Sequence, residues 1–208
     1  MQPIFAFDFS CNKPAMTCII DGKIEIYVWP SDIDKTSYER LDDCGIHVYN
    51  RKLDKIKDKE FTQHELILEH MRRSTELADK ITVTICEIIH GTNYNIESAI
   101  ISNEGFAFSA KGDAALDLSG YKYILMDRLM QAGFKNFRTY SPITIKKTAG
   151  CSKRGLGKDA MIEAFGKEPD STHKIVEILK QNPQLLKKKT NYIMCMDDIA
   201  DSYWCLKT

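Results

Sequence analysis

Acidic side chains interrupt apolar sequence at three places along this 208-residue chain. Asp8 lies at the end of the short aromatic run PIFAFDF, residues 3–9. Glu87 is the lone charge in ITVTICEII, residues 81–89, and Asp197, Asp198 and Asp201 crowd the segment MDDIADSYW. At 3.6 residues per helical turn, Asp198 and Asp201 share one face as an i, i+3 pair, while Asp197 points elsewhere. A buried carboxylate without a partner costs on the order of several kcal/mol, so each needs a metal, a cation or a proton. Asp and Glu without accompanying Cys or His suit hard ions with oxygen ligands, Mg²⁺ or Mn²⁺ rather than Zn²⁺. Two such ions, roughly 3.5–4 Å apart, can activate a water and stabilise the leaving oxygen in phosphodiester hydrolysis. Each acid also has a purely structural explanation. Asp8 can terminate a strand, Asp197 can cap a helix, and Glu87 can pair with a lysine.

The flanking sequence indicates what positions these acids. Residues 3–9 read as a buried strand, and residues 17–20 and 23–29 flank the turn dipeptide Asp21-Gly22, so the three form a β-meander. Residues 30–59 are polar and of mixed charge, an insertion with one strand at 45–49. Residues 62–80 have helical spacing, with Thr62 as N-cap and Glu65 three residues on. The β-branched residues 81–89 read as a buried strand and 90–111 as a loop. A long helix over 113–132 ends at Gly133, a strand covers 134–140, and a basic loop follows Pro142. Helices are expected over 158–165, 171–181 and 196–206. Strands first, then alternating helices and strands, predict an α/β fold with a mixed sheet: a three-strand antiparallel meander plus parallel strands, flanked by helices.

Lys and Arg total 29, as do Asp and Glu, yet the balance is uneven. Residues 128–158 hold eight bases (Arg128, Lys135, Arg138, Lys146, Lys147, Lys153, Arg154 and Lys158) and no acid, leaving 21 bases against 29 acids elsewhere. A basic segment on an acidic body binds polyanions locally through counterion release; taken alone, such a run is more often a solvated loop. The length suits one domain, residues 1–208, with its own core. Seven cysteines form no CxxC pair and leave an odd count, which disfavours a disulfide framework and fits a reducing cytoplasm. No apolar run is long enough to span a bilayer. His47, His64, His70 and His173 show no ligand spacing. Cys86 and Cys195 read as core residues near the acids, and Tyr203 and Trp204 as anchors of the last helix.

The order of FAFDFS, ICEIIHGTN, YSPITIKKTAGCSKRGLGKDAM and DIADSYW resembles the RuvC-type Holliday-junction resolvases of the RNase H-like nuclease superfamily. The resemblance covers most of the chain apart from 30–59 and implies an RNase H-like fold. It implies that Asp8, Glu87, Asp198 and Asp201 bind two Mg²⁺ ions, with Mn²⁺ substituting, and that Lys146 and Lys158 act beside the scissile phosphate. Lys147 is a rival for Lys146, and Asp197 a weaker rival for Asp198. By position, Lys146, Lys147, Lys153, Arg154 and Lys158 would contact DNA. His90 stands where the family has a wedge phenylalanine, and Tyr94 is a second candidate for stacking on a base. The family's glycine after the first Asp is replaced by Phe9-Ser10-Cys11.

The activity implied is metal-dependent endonuclease cleavage of four-way DNA junctions by paired nicks, leaving 5′-phosphates and 3′-hydroxyls. Paired nicks imply a homodimer, with the helix at 62–80 or that at 113–132 as its interface. Divergence and the longer N-terminal half point to a phage or viral branch. A related nuclease acting on flaps, forks or RNA–DNA hybrid has the same residues. An actin-like ATP-binding protein also begins with a strand-borne Asp, but Gly-rich phosphate loops are poorly supplied here. A catalytically silent DNA-binding protein would have no reason to keep four clustered acids.

Overall fold

A computed structural model describes residues 2–10, 12–53, 62–105, 113–153, 156–168, 173–183 and 195–208, with backbone only for 113–119 and Lys158. Six strands form one mixed sheet: β1 (Ile4–Asp8), β2 (Ala15–Ile20), β3 (Lys23–Val28), β4 (His47–Val48), β5 (Ile100–Glu104) and β6 (Asn136–Tyr140), ordered β4-β3-β2-β1-β5-β6. The first three make the antiparallel meander, turning at Asp21 and Gly22, both with positive φ. β5 and β6 continue the sheet in parallel beyond β1.

Alternation along the strands decides which helices cover which face. Phe5 and Phe7 of β1, with Met16 and Cys18 of β2, pack against α2 (Gln63–His90) and α3 (Asp113–Gln131). The opposite face presents Ala6, Ala15 and Thr17, small enough for α7 (Met196–Lys207) to lie close. There Thr17 Oγ1 and Ser202 Oγ share a buried hydrogen bond of 2.8 Å. Around α7 gather α1 (Lys35–Asp43), α4 (Pro142–Thr148), α5 (Lys158–Gly166) and α6 (Lys174–Gln181). Tyr203 and Trp204 anchor α7 as expected: both are buried, and Trp204 Nε1 donates to the Met161 carbonyl over 3.2 Å.

Three expectations need correction. Residues 81–89 are the second half of α2, a 28-residue helix that opens on a Thr62–Glu65 capping box. Its buried apolar positions Leu77, Ala78, Ile81, Ile85 and Ile89 keep helical spacing, with Ser74, Thr82 and Thr84 also buried, while Val83, Glu87 and His90 are exposed. The period of burial overrides the β-branched composition, since packing of an apolar stripe outweighs intrinsic propensity. The missing central strand is instead β5, inside the stretch expected to be a loop; its polar Ser102, Asn103 and Glu104 leave only a short apolar stretch before them. The expected basic loop after Pro142 begins as a helix, because Ser141 caps the Thr144 amide and Pro142 occupies a first-turn position.

The described part of the expected insertion is integrated into the core. It supplies α1 and the short β4, and buries Leu41, Cys44 and Ile46. Residues 54–59 and 171–172 lie outside the described residues. Among the described residues, no helix is long and apolar enough to cross a membrane.

Candidate metal site at the carboxyl ends of the central strands

Asp8 and Glu104 are the last residues of two neighbouring parallel strands, one step beyond the Phe7–Asn103 pair. Paired strands lie about 4.8 Å apart. Alternation aims both side chains at the face that α7 covers: Ala6 lies there, and Ile101 packs on the other face. Close packing holds the end of β5 in place. The Gly105 amide donates to the Tyr140 carbonyl at 2.7 Å, and a Cβ on Gly105 would approach Thr139 Cγ2 to 3.0 Å.

α7 brings the remaining carboxylates. Asp198, Asp201 and Cys205 lie on one stripe of the helix at i, i+3 and i+7. Asp198 is 7% exposed and Asp201 half-buried. The Cys205 thiol ties this stripe to the strand ends. Burial, together with the charges of Glu104 and Asp8, pushes its pKa up to about 12. The acids along this edge supply carboxylate oxygens as donors. Such a set fits Mg²⁺ or Mn²⁺ and not a thiolate-seeking metal. Among the described residues, no three Asp, Glu, His or Cys side chains converge tightly enough to enclose an ion. The edge places these carboxylates on neighbouring elements.

Asp197 is half-buried in the first turn of α7 and is not its cap. Cys195 occupies the cap position, with φ 66° and no side-chain cap hydrogen bond. It is fully buried as expected, and burial with the neighbouring Asp198 charge raises its thiol pKa to about 12. Cys86, expected near the acids, is half-buried on α2.

Glu87 does not reach this edge. It is exposed on α2, with the sheet between it and α7. His90 and Tyr94 are also misplaced for a role beside these acids. Tyr94 Oη donates to Asp21 Oδ1 at 2.7 Å, at the β2–β3 turn that abuts the start of β1. Four residues of strand, roughly 13 Å at about 3.3 Å each, separate that end from Asp8. Glu104 was not singled out from the sequence. Glu104 is an acid ending a short apolar run and followed by glycine, the same pattern of strand-end acid that identified Asp8.

The basic run is divided by the fold. Arg128 pairs with Asp79 at 2.8 Å and Lys135 with Glu97 at 2.7 Å, away from the carboxylate edge. Arg138, Lys146, Lys147 and Lys153 are exposed, and none forms an ion pair among the described residues. Lys146 and Lys147 sit on α4, which leaves β6 at the same end of the sheet as Asp8 and Glu104. Thr208 Oγ1 donates to Thr148 Oγ1 at 3.0 Å, joining the ends of α7 and α4. Lys158 is the first residue of α5, and Arg154 lies outside the described residues.

A mixed six-stranded sheet in this order, flanked by helices on both faces, is the RNase H-like fold of the junction resolvases. The structure of Ydc2, the yeast mitochondrial Holliday junction resolvase, matches 98% of this chain and 75% of its own, with TM-score 0.51 and 10% identity. Thermus thermophilus RuvC bound to a Holliday junction substrate aligns over 98% of this chain and 94% of its own, with TM-score 0.46 and 8% identity. No protein-family model and no curated protein sequence matches the chain.

Proposed function

We propose that residues 1–208 act as a single nuclease domain that cuts branched DNA, with four-way junctions as its substrate and divalent metal as its cofactor. The arrangement that supports this is a pair of strand-end acids, Asp8 and Glu104, on the sheet face that α7 covers, with Asp198 and Asp201 on one stripe of that helix. These four carboxylates, with Glu104 in the role first given to Glu87, would hold Mg²⁺, and Mn²⁺ would substitute. When bound, the metal supplies a nucleophilic water at neutral pH and offsets charge on the leaving oxygen. The chain's own residues hold that chemistry in place. Asp8 and Glu104 are fixed by strand pairing, and Asp198 by burial in the first turn of α7, where the helix dipole favours its negative charge. Lys146, with Lys147 beside it, offsets the charge gathering on the phosphate oxygens, the role that the sequence resemblance also gives to Lys158.

DNA binding rests on the exposed bases Lys146, Lys147, Lys153 and Arg138. Alanine at both Lys146 and Lys147 is expected to lower the slope of log K against log salt by about 2, since each phosphate contact contributes about 0.9. An unchanged slope measured by fluorescence anisotropy would leave α4 as a solvated surface.

Symmetric nicking of a junction requires two sites, and α2 offers a face for a second copy. Ile67, Leu68 and Met71 are each more than half exposed on its N-terminal half. Glutamate at Ile67 and Met71 is expected to shift the protein from dimer to monomer in sedimentation and to turn paired nicks into single ones. A dimer unaffected by both changes would move the interface elsewhere, α3 being next.

The assignment is tested by incubating the protein with a synthetic four-way junction, linear duplex, flap and RNA–DNA hybrid, with Mg²⁺, Mn²⁺ or EDTA. Symmetric nicks in the junction alone, abolished by EDTA, are expected. Cleavage of flap or hybrid instead would keep the site and change the substrate; no metal-dependent cleavage would overturn the assignment.

A further inference from the structure

Positive charge also gathers on the sheet face opposite α7. Between the segment that follows β4 and the middle of α2 lies a cavity of about 120 Å³, with Arg51, Lys52, Arg73, Lys80 and Glu76 in its wall. Leu77, which also lines it, belongs to the core beneath α2. Arg51 is 7% exposed and is fixed by main chain: Nε donates to the Trp29 carbonyl at 3.0 Å and Nη2 to the Asn12 carbonyl at 3.4 Å. The acids nearby are engaged. Glu76 accepts from Arg72, Glu69 accepts from Arg72 and Arg73, and Asp32 accepts from the Leu53 amide. Among the described residues, Arg51, Lys52, Arg72, Arg73 and Lys80 outnumber Asp32, Glu69 and Glu76 around this cavity. Lys52 and Lys80 are exposed and form no ion pair among the described residues. No aromatic ring of the described residues lines the cavity, so it offers a base nothing to stack on, whereas flexible ammonium groups beside a fixed guanidinium suit a phosphate.

The sheet sets the place of this cavity relative to the carboxylates. Asp8 pairs with Ala15, Ala15 with Val28 and Val28 with Val48, and beyond that row Ser31 bridges Arg51. Arg51 therefore lies at the same end of the sheet as Asp8, displaced sideways by three strand spacings, roughly 14 Å at about 4.8 Å each. We propose that the cavity is a second phosphate site, in which Lys52 and Lys80 grip a DNA backbone phosphate on the order of four nucleotides from the bond cut at the carboxylate edge, at about 3.4 Å per nucleotide. Arg51 and Arg73 add charge to its wall. The inference rests on the nuclease assignment for its substrate and adds a contact on the side of the sheet away from α4 and α7. One arm of the DNA is then held at two separated points, which fixes its direction across the end of the sheet.

Alanine at both Lys52 and Lys80 removes two exposed side chains, so the melting temperature should hold. Fluorescence anisotropy on a four-way junction in EDTA is expected to show at least about fivefold weaker binding and a slope of log K against log salt lower by about 2. Alanine at both Lys23 and Lys135, an equal loss of charge at the other end of the sheet, should keep the wild-type slope. Single neutral methylphosphonates walked along the strand then identify the phosphate. Wild type should lose affinity at one position about four nucleotides from the junction centre, and the Lys52/Lys80 variant should lose none there, since coupled partners are not additive. A wild-type slope in the Lys52/Lys80 variant, or an equal loss in the Lys23/Lys135 control, would overturn the inference. Calorimetric binding of inorganic phosphate that the two lysines control, with junction affinity indifferent to them, would also overturn it and leave a site for a small free anion. A wild type that cuts no substrate, with the salt slope still lowered by loss of the two lysines, would sink the nuclease assignment and leave the phosphate site standing.

Discussion

Glu104→Gln is expected to reduce junction cleavage by about 10²-fold or more, while Glu87→Gln leaves it at the wild-type rate. The amide keeps the volume and hydrogen-bonding reach of Glu104 but removes the charge that a hard cation requires. Loss of one preorganised electrostatic partner of a phosphoryl-type transition state is worth a factor of this order. Glu87 is exposed on α2, across the sheet from α7, so its neutralisation removes only a solvated surface charge. Exposed substitutions of that kind stay within about 0.5 kcal/mol in stability. Cleavage rates of the two variants on the same junction decide between the two glutamates. A dead Glu87→Gln beside an active Glu104→Gln would return the site to the other face of the sheet and invalidate this edge.

Asp198→Asn carries the second large effect, and it divides binding from chemistry. Asp198 is buried in the first turn of α7, so its carboxylate is held in place before any ligand arrives. Cleavage should be abolished within detection, whereas junction affinity should remain near wild type, because affinity resides in the exposed bases around α4. Thermal melting gives an independent readout. Ligand bound only to the native state stabilises it by RT ln(1 + [L]/Kd), about 2.7 kcal/mol at a hundredfold excess over Kd. Wild-type protein should therefore melt higher in Mg²⁺ than in EDTA, and Asp198→Asn should lose most of that increment. Retained cleavage would exclude Asp198 and turn attention to its neighbour Asp197.

The contrast between these glutamates shows where sequence was informative. Asp8 was legible because an aromatic, alternating run can only be a buried strand, and its terminal acid then has few structural uses. Asp198 and Asp201 were legible because i, i+3 spacing on an apolar helix survives any detail of packing. The β-meander followed from Asp21-Gly22 between two apolar segments. β5 was hidden for the opposite reason. It is short and polar over its last three residues, and its strand character comes from parallel pairing to β1 and β6, contacts distant in sequence. The second half of α2 misled because Ile, Thr and Val raise strand propensity, while the helical period of its buried positions runs on from the first half. The charge run at 128–158 was legible as a count but not as a surface. Its members Arg128 and Lys135 are taken up by Asp79 and Glu97, which lie far from them in sequence.

The most direct test of the metal edge is the anomalous difference map of a crystal soaked in Mn²⁺. Density is expected at the carboxyl ends of β1 and β5, coordinated by Asp8 and Glu104 and by Asp198 or Asp201 of α7, with Cys205 outside the coordination sphere. Mn²⁺ bound at Glu87, or no Mn²⁺ at this edge at millimolar concentration, would contradict the assignment.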